Sequence, residues 1–300
     1  MIRLDDHALK GSFPPIVTPF KEDGGVDYDT YARLVEIHVK GGSPGIVVTG
    51  TTGEPSTLTP GERTQLLKVA IAAANKRIQV VAATGTQNHA DTVAMTEAAG
   101  KAGADALLIV TPYFSRPPQR GLEAYYLDLC KRTDLPVMIY QIPGRAAVNV
   151  TAETVVRIAE NAPNLVGIKH AVDDLKLVSD LIIKLGTEFR IHVGLEDLSF
   201  PMVCLGAHGL MSAVGNLLPH KVQELYAATA AGDLSRGRAL HYELWELNQA
   251  VFFDTNPIPM KYMMMRLGLL PNEVHRLPMV PTTPELRSRL DAVLARAGLV

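Results

Sequence analysis

Eight short runs of mostly apolar residues recur along the chain, and polar segments separate them. Because most runs show no alternation of apolar and polar residues, they are typical of parallel strands that are covered on both faces. The runs are FPPIVTPF at 13–20, GIVVTG at 45–50, QVVAATG at 79–85, ALLIVTP at 106–112, PVMIYQIP at 136–143, LVGIKHA at 165–171, RIHVGLE at 190–196 and GLMSAVGN at 209–216. We therefore predict eight buried β-strands.

The segments between these runs place apolar residues at helical spacing, as amphipathic helices do. One predicted helix covers 59–74, where Thr59, Pro60 and Glu62 form the pattern of a capping box with proline at the first helical position. Another follows a predicted N-cap at Asp27. Its buried face is expected to consist of Tyr28, Tyr31, Leu34, Val35 and His38.

Strands that alternate with helices eight times predict a (β/α)8 TIM barrel, and a chain of 300 residues is long enough for one. A doubly wound sheet is the alternative. Such a sheet usually carries a glycine-rich phosphate turn after its first strand. Here the first strand ends in TPFKEDGG, without that glycine spacing, which favours the barrel.

The strand pattern stops after residue 218, and only helical segments are predicted beyond it. They cover 219–231, 234–252, 257–267 and 284–297. Since eight strands are already assigned, the later helices form a small C-terminal helical addition. The predicted organisation is a barrel at 1–231 and a helical region at 232–300 that packs on the barrel.

Composition and charge narrow the classes of function. A formal net charge of −2 and a pI of about 6.5 give no basic surface for nucleic acid. No apolar run approaches the ~20 residues that a membrane helix needs, and the start, MIRLDDHALK, lacks a signal-peptide core. The two cysteines, Cys130 and Cys204, fit a reduced protein better than a disulfide-bonded one. We expect a cytoplasmic protein with a small-molecule partner.

The active site of such a barrel lies at the C-terminal ends of its strands. Small or polar residues at the predicted ends are therefore candidate site residues. They are Thr18, Gly50 to Glu54, Gly85, Thr86, Thr111 to Tyr113, Tyr140, Lys169, Gly194 and Ser212.

Lys169 is the candidate with the clearest chemistry. It lies near the end of a strand predicted to be buried, where an ammonium group is costly unless it pairs, neutralises or reacts. Its side chain is expected to share a strand face with Gly167, which would leave room for a ligand, while His170 faces the other way. The neutral amine can attack a carbonyl carbon and form a Schiff base. A buried structural ion pair is the alternative.

Two neighbouring strand ends favour the reactive role of Lys169. Backbone N–H groups and the hydroxyls of Thr51 and Thr52 can hold a small carboxylate. Tyr140 ends the preceding strand, where its phenol can move protons as an imine forms, unless it is an ordinary core tyrosine. A carboxylate cradle, an amine and a phenol together suit a 2-oxo acid.

Five motifs carry a resemblance that covers nearly the whole chain. They are GTTGE at 50–54, TPYFSRP at 111–117, YQIPGR at 140–145, GIK at 167–169 and DTNPIPMK at 254–261. In this order and spacing the chain resembles the dihydrodipicolinate synthase / N-acetylneuraminate lyase family of Schiff-base-forming class I pyruvate aldolases. DTNPIPMK is expected to be structural, with Pro257 and Pro259 fixing the entry to a C-terminal helix.

The resemblance implies a role for each matching residue. Lys169 would attack C2 of pyruvate, and Tyr140 would be the phenol beside the imine. Thr51 and Thr52 would hold the carboxylate of pyruvate. Arg145 stands where dihydrodipicolinate synthases bind the carboxylate of aspartate semialdehyde, and sialic acid lyases lack this arginine. The predicted substrate-binding set is completed by two strand-end residues, Gly194 and Ser212.

One departure from the family pattern concerns a proton relay. Synthases usually read TPYYNRP, and the resemblance implies that the second tyrosine completes a relay in the neighbouring subunit's site. Here Phe114 occupies that position, so the relay of Thr51, Tyr140 and a partner tyrosine is broken. Ser115 or a water is a possible replacement for the missing hydroxyl, and a packing change at a subunit contact is the alternative. We favour the interpretation that the lost hydroxyl affects the step that defines the synthase.

Regulation by lysine and metal chemistry are not indicated. Pro60 and Arg63 stand where lysine-regulated relatives carry histidines, and Gln87 replaces an asparagine, so we expect no feedback inhibition by lysine. Single histidines without the spacing of metal ligands predict no metal site. These are His170, His192 and His208.

The sequence therefore predicts a pyruvate-dependent class I lyase that resembles 4-hydroxy-tetrahydrodipicolinate synthase and uses no cofactor beyond a covalent imine to Lys169. Its partners would be pyruvate and a second small aldehyde or sugar-acid substrate, and the resemblance implies a homotetramer built as a dimer of dimers. One alternative is a catabolic aldolase or dehydratase of a 2-oxo-3-deoxy or 4-hydroxy-2-oxo acid. The other is a non-catalytic sensor of 2-oxo acids.

Overall fold

A computed structural model describes all residues from 1 to 300. Its centre is a sheet of eight parallel strands. The strands are β1 Gly11–Ser12, β2 Gly45–Val48, β3 Gln79–Ala83, β4 Ala106–Val110, β5 Val137–Gln141, β6 Leu165–His170, β7 Arg190–Val193 and β8 Gly209–Leu210. Each strand from β2 to β7 pairs with the next along the chain, and β8 pairs with β1.

The sheet closes into a barrel between β1 and β2. A bridge joins Pro15 to Val47. The Ile16 N–H donates to the Val47 carbonyl oxygen at 3.1 Å, and the Val47 N–H donates to the Pro14 carbonyl oxygen at 2.9 Å. These contacts confirm the predicted (β/α)8 TIM barrel.

The first strand differs from its prediction. We expected residues 13–20, whereas regular pairing covers only Gly11–Ser12. Pro14, Pro15 and Pro19 lack the N–H group that a strand donates to its neighbour, so this segment continues as extended backbone with isolated bridges. The remaining strands end before the predicted runs do, which leaves the polar residues of those runs in the turns that follow.

Helices follow the strands and surround the barrel, as the periodicity predicts. They are α1 Tyr28–Lys40, α2 Pro60–Ala74, α3 His89–Ala102, α4 Gln119–Cys130, α5 Pro143–Ala146, α6 Ala152–Asn161, α7 Leu175–Leu185, α8 Ser199–Cys204, α9 Pro219–Ala230, α10 Leu234–Glu243, α11 Trp245–Ala250, α12 Ile258–Arg266 and α13 Pro284–Arg296. The predicted capping box is present, because Thr59 accepts from the Glu62 N–H and the Glu62 carboxylate accepts from the Thr59 N–H. The helix predicted at 234–252 is interrupted at Leu244, between α10 and α11.

The barrel interior is packed rather than open. One apolar cluster fills it from the strands themselves and lies beneath the C-terminal strand ends. Its members are Leu9, Phe13, Val47, Val81, Ala106, Leu108, Met138, Tyr140, Val166, Ala171 and Met211. A larger cluster lies between the sheet and the helices. The interior cluster supports the turns that follow β2, β5, β6 and β7, where the candidate site residues lie.

The C-terminal helices contact the barrel at the strand ends. Lys261 of α12 pairs with Glu54, and Arg276 pairs with Glu62 at 2.7 Å. Contacts of this kind agree with a helical region that packs on the barrel, while the boundary at residue 231 stays a prediction. No helix combines the length and the apolar character that crossing a membrane requires.

Candidate active site

Lys169 projects from β6 into the mouth of the barrel. Its side chain is only 4% exposed, and it lies in register between Tyr140 of β5 and His192 of β7. The Nζ atom lies 4.2 Å from the centroid of the Tyr140 ring. Lys169 forms no ion pair, whereas another buried lysine, Lys261, pairs with Glu54. The structure therefore contradicts the alternative of a structural ion pair for Lys169.

A small cavity of about 50 Å³ surrounds the Lys169 amine. Six of the seven predicted site residues line it, namely Thr51, Thr52, Tyr140, Arg145, Lys169 and Gly194. Ser212 is buried at the end of β8 but does not line the cavity, whereas its neighbours Met211 and Ala213 do. The structure thus brings the predicted amine, phenol and threonine turn together around one cavity.

The hydroxyl groups of Thr51 and Tyr140 form a hydrogen-bonded pair across the cavity. Their oxygens are 3.2 Å apart, and either hydroxyl can be the donor. Thr51 begins the short 3-10 helix Thr51–Gly53 that follows β2, while Tyr140 lies near the end of β5. The pair gives the phenol a route for moving a proton away from the amine.

Asn256 joins three parts of the site, and its role was missed by the sequence analysis. Its amide Nδ2 donates to the Thr52 hydroxyl at 2.9 Å, and its backbone carbonyl accepts from Arg145 at 3.2 Å. Asn256 also lines the cavity. The motif DTNPIPMK, which we expected to be structural, therefore contributes a side chain to the site itself.

The two glycines near Lys169 have different roles, and only Gly194 borders the site. A Cβ atom at Gly167 would lie 2.3 Å from the Arg190 carbonyl oxygen, so this glycine permits close approach of β7 and leaves no room for a ligand. A Cβ atom at Gly194 would lie 2.9 Å from Cε of Lys169. The space beside the amine is therefore provided by Gly194, and the prediction for Gly167 is wrong.

Glu196 is a second site residue that the sequence analysis missed. It follows β7, lines the Lys169 cavity and is buried. Its Oε1 accepts from the Ala213 N–H at 2.7 Å, and burial raises the pKa of the Glu196 carboxyl to about 6. The acid stands two residues after Gly194 in the predicted strand run RIHVGLE, and its position at a strand end was the available signal.

A buried ion pair anchors the threonine turn to the C-terminal region. Glu54, the last residue of GTTGE, has a left-handed backbone with φ of +54°. Its Oε1 lies 2.8 Å from Nζ of Lys261, and its Oε2 lies 3.2 Å from Nδ1 of His275. Burial lowers the pKa of Lys261, an effect that the Glu54 carboxylate opposes. These contacts hold the turn that presents Thr51 and Thr52.

A larger cavity of about 260 Å³ adjoins the Lys169 cavity and shares four lining residues with it, namely Thr51, Ile142, Arg145 and Asn256. Arg63 and Tyr113 also line this outer cavity. Arg63 donates to the Ala83 carbonyl oxygen at 2.8 Å. The outer cavity offers space for a second substrate next to the amine, with the Arg145 cation at the junction of the two cavities.

Phe114 is the most exposed of the large apolar side chains. It is 89% exposed and has a left-handed backbone with φ of +71°, next to Tyr113 of the outer cavity. A bulky residue in the left-handed region is uncommon and indicates a constrained turn. Within one chain, the ring of Phe114 therefore faces solvent rather than the site.

His170 and His192, two of the histidines considered as possible metal ligands, are core residues. The His170 ring nitrogen Nε2 lies 3.0 Å from the Asp174 carbonyl oxygen, and that of His192 lies 2.8 Å from the Leu9 carbonyl oxygen. Burial lowers the pKa of His192 to about 3. No group of three or more His, Cys, Asp or Glu side chains is arranged to hold a metal ion.

Comparisons with known proteins point to a single family. Residues 8–297 match the model of the dihydrodipicolinate synthetase family. A Thermus thermophilus protein named 4-hydroxy-tetrahydrodipicolinate synthase is 42% identical over 293 residues, which are 97% of either chain. The crystal structure of dihydrodipicolinate synthase from Aquifex aeolicus superposes with a TM-score of 0.94 at 37% identity, covering 97% of this chain and 98% of that chain. A structure described as a monomeric dihydrodipicolinate synthase variant gives a TM-score of 0.94 at 35% identity and covers 99% of both chains.

Proposed function

Because the chain belongs to the dihydrodipicolinate synthetase family, we propose that it condenses pyruvate with aspartate semialdehyde through an imine to Lys169. The product would be 4-hydroxy-tetrahydrodipicolinate, and the enzyme would be a class I lyase. The observation that carries the proposal is the placement of the Lys169 amine, which lies outside every ion pair in a small cavity beside the Thr51–Tyr140 hydroxyl pair.

Pyruvate would enter the small cavity with its carboxylate on the threonine turn. The hydroxyl of Thr51 and the backbone N–H groups of the turn are donors that suit a carboxylate. The carbonyl carbon would then lie beside the neutral amine of Lys169, which adds to it. Tyr140 would protonate the carbonyl oxygen and recover its proton through Thr51. Water loss leaves a protonated imine.

The imine supplies the electron sink for carbon–carbon bond formation. Loss of a proton from C3 of the bound pyruvate gives an enamine, whose carbon attacks the aldehyde of the second substrate. That substrate would occupy the outer cavity, with its carboxylate on Arg145. The product cyclises as the lysine is released. Since the imine performs the electronic work, the proposed reaction uses no metal or added cofactor.

A second candidate function rests on Phe114. The phenyl ring cannot provide the hydroxyl that the family resemblance implies at this position, and that hydroxyl belongs to the synthase reaction. Cleavage or dehydration of a 2-oxo-3-deoxy or 4-hydroxy-2-oxo acid would use the same imine and enamine, with Arg145 on a distal carboxylate. This reaction is the alternative to the synthase.

Borohydride reduction tests the imine, and a substrate panel tests the reaction. Reduction in the presence of pyruvate should attach a reduced pyruvyl group to Lys169, and Lys169→Ala should abolish this adduct. A sensor without imine chemistry would bind pyruvate and give no adduct. Turnover of aspartate semialdehyde would support the synthase, whereas turnover of 2-oxo sugar acids alone would support the alternative.

We also propose that the working form is a homotetramer built as a dimer of dimers. The resemblance places the residue at the Phe114 position in the neighbouring subunit's site, and the ring is 89% exposed in the single chain, which supports a contact with a second copy. Light scattering of the purified protein tests this, and a monomer would contradict it.

Both cysteines are unpaired, which suits a cytoplasmic setting.

A further inference from the structure

Glu196 is the only carboxyl group among the residues that line the cavity around Lys169. Glu196 is 3% exposed, and it is the first residue of the short 3-10 helix Glu196–Leu198 that follows β7. The Ala213 N–H satisfies Oε1, but Oε2 is buried without a hydrogen-bond partner in the protein. Leaving a buried polar atom unpaired is unfavourable, so the placement of Glu196 calls for a partner that binds in the cavity.

Imine formation changes the charge in this cavity. A neutral Lys169, the carboxylate of a 2-oxo acid and the Arg145 cation sum to zero. Conversion of the amine into an iminium ion adds one positive charge in a space of about 50 Å³. Charges interact strongly where water is excluded, so an acid that can become a carboxylate here would restore the balance.

Building on the proposed imine chemistry, we propose that Glu196 is a catalytic acid: it protonates the departing hydroxyl of the carbinolamine and remains as the carboxylate that faces the iminium ion. Tyr140 would still serve the preceding addition step. The two groups would thus act on successive proton transfers at the same carbon of the substrate.

The proposed step balances in atoms and charge. Addition of the Lys169 amine forms the C–N bond and, once a proton has moved from nitrogen to oxygen, gives a neutral carbinolamine. The nitrogen lone pair then forms the C=N bond while the C–O bond breaks. The leaving hydroxide takes the proton of Glu196 and departs as water. The products are a protonated imine and a carboxylate, so the net charge is unchanged.

The surroundings of Glu196 suit a group that works in both protonation states. Burial raises the pKa of Glu196 to about 6, against the opposing effect of the Ala213 hydrogen bond. The other titratable or charged groups around it are Tyr140 from β5, Arg145 at the cavity mouth and Asp197 from the same turn. An acid in this range retains a protonated fraction near neutral pH.

Quenched-flow trapping on the full-length enzyme tests the proposal. Enzyme and pyruvate are mixed for a variable time between about pH 5 and pH 8 before borohydride captures the imine on Lys169. Glu196→Gln keeps an oxygen acceptor for the Ala213 N–H but has no acidic proton. We expect the wild-type rate of imine formation to decline above about pH 6. In Glu196→Gln we expect this rate to be about 100-fold slower and to show no such decline.

Two matched variants accompany Glu196→Gln. Asp197→Asn removes the adjacent, exposed carboxylate and should keep the wild-type rate and pH profile, while Glu196→Asp should restore part of the rate and the decline with pH. A wild-type rate and profile in Glu196→Gln would overturn the proposal. If this variant does not fold, the absence of a decline in the wild-type profile would overturn it. A wild-type enzyme that captures no pyruvate at all would instead overturn the proposed function.

Discussion

The hydroxyl oxygens of Thr51 and Tyr140 lie 3.2 Å apart although 89 positions separate the two residues in the chain. We predict that Tyr140→Phe lowers kcat by about 100-fold or more, because a positioned acid–base group contributes about that much. The ring and its packing against Lys169 remain. Steady-state kinetics with pyruvate and the second substrate measure the loss.

Thr51→Val removes the other hydroxyl group of the Thr51–Tyr140 pair and keeps a side chain of similar shape. If the two hydroxyls act as one relay, the double variant should be little worse than either single variant, since coupled groups are not additive. Losses that multiply in the double variant would show that the hydroxyls act independently.

Phe114→Tyr should raise turnover with aspartate semialdehyde by up to about 100-fold, because it adds the hydroxyl that completes the proposed relay in the neighbouring subunit. The stability of the isolated chain should change by no more than about 0.5 kcal/mol, since the ring is exposed. The same coupled assay compares both proteins. Unchanged turnover, together with an unaltered oligomeric state, would mean that another donor already serves this step.

Lys261→Met should destabilise the protein by about 3–5 kcal/mol, because it leaves the Glu54 carboxylate buried without its cation. Urea unfolding followed by circular dichroism measures the free energy of unfolding. The double variant Glu54→Gln, Lys261→Met should recover part of the loss, since no uncompensated charge remains. A double variant less stable than Lys261→Met would contradict this explanation.

Acid should destabilise the protein between about pH 6.5 and pH 4. Burial lowers the pKa of His38 to about 4 and also lowers the pKa of His208 to about 4. In this window the unfolded chain binds protons that the folded chain does not, so the free energy of unfolding falls as pH falls. Each histidine accounts for about 3 kcal/mol once both states are compared at pH 4.

Glu196 works in the opposite direction over part of this window. Because burial raises the pKa of Glu196 to about 6, the folded state binds its proton first and gains about 2 kcal/mol as pH falls to about 4.5. The net slope should still be destabilising. Urea titrations at several pH values measure the free energy of unfolding, and His38→Gln should make it depend less on pH. A free energy of unfolding that does not change from pH 7 to pH 4 would contradict the lowered pKa values of the buried histidines.

L-Lysine below millimolar concentration should not inhibit the enzyme. Arg63 occupies one position at which the resemblance implies a histidine in lysine-regulated relatives, and its guanidinium lines the outer cavity. An L-lysine ligand has two ammonium groups and one carboxylate, so its binding beside the Arg63 guanidinium would add net positive charge there. Initial rates with and without lysine decide the matter, and half-inhibition at submillimolar lysine would contradict the prediction.

The sequence was sufficient for the barrel and for the amine, phenol and threonines of the site. Their signals are local, because Lys169, Tyr140 and Thr51 each stand at the end of an apolar run. The strand pattern then brings those ends together. Thr52 was found in the same way, whereas Arg145 was identified only through the family resemblance.

The sequence did not reveal contacts that depend on three-dimensional packing. Asn256 reaches the site from a loop far along the chain, so no strand-end rule identifies it. Gly167 and Gly194 look equivalent in sequence, and only the positions of Arg190 and Lys169 show which glycine makes space for the site. Ser212 follows the C-terminal end of β8, where site residues are expected, but its neighbours Met211 and Ala213 line the cavity instead.

The ion pair between Glu54 and Lys261 means that a complete barrel would not be a complete enzyme. A chain that stopped after the last strand would keep Lys169, yet the threonine turn, on which we propose that the ketoacid carboxylate binds, would lose its contacts with Lys261 and Asn256. We therefore expect substitutions in the C-terminal region to alter substrate choice while the eight strands stay the same.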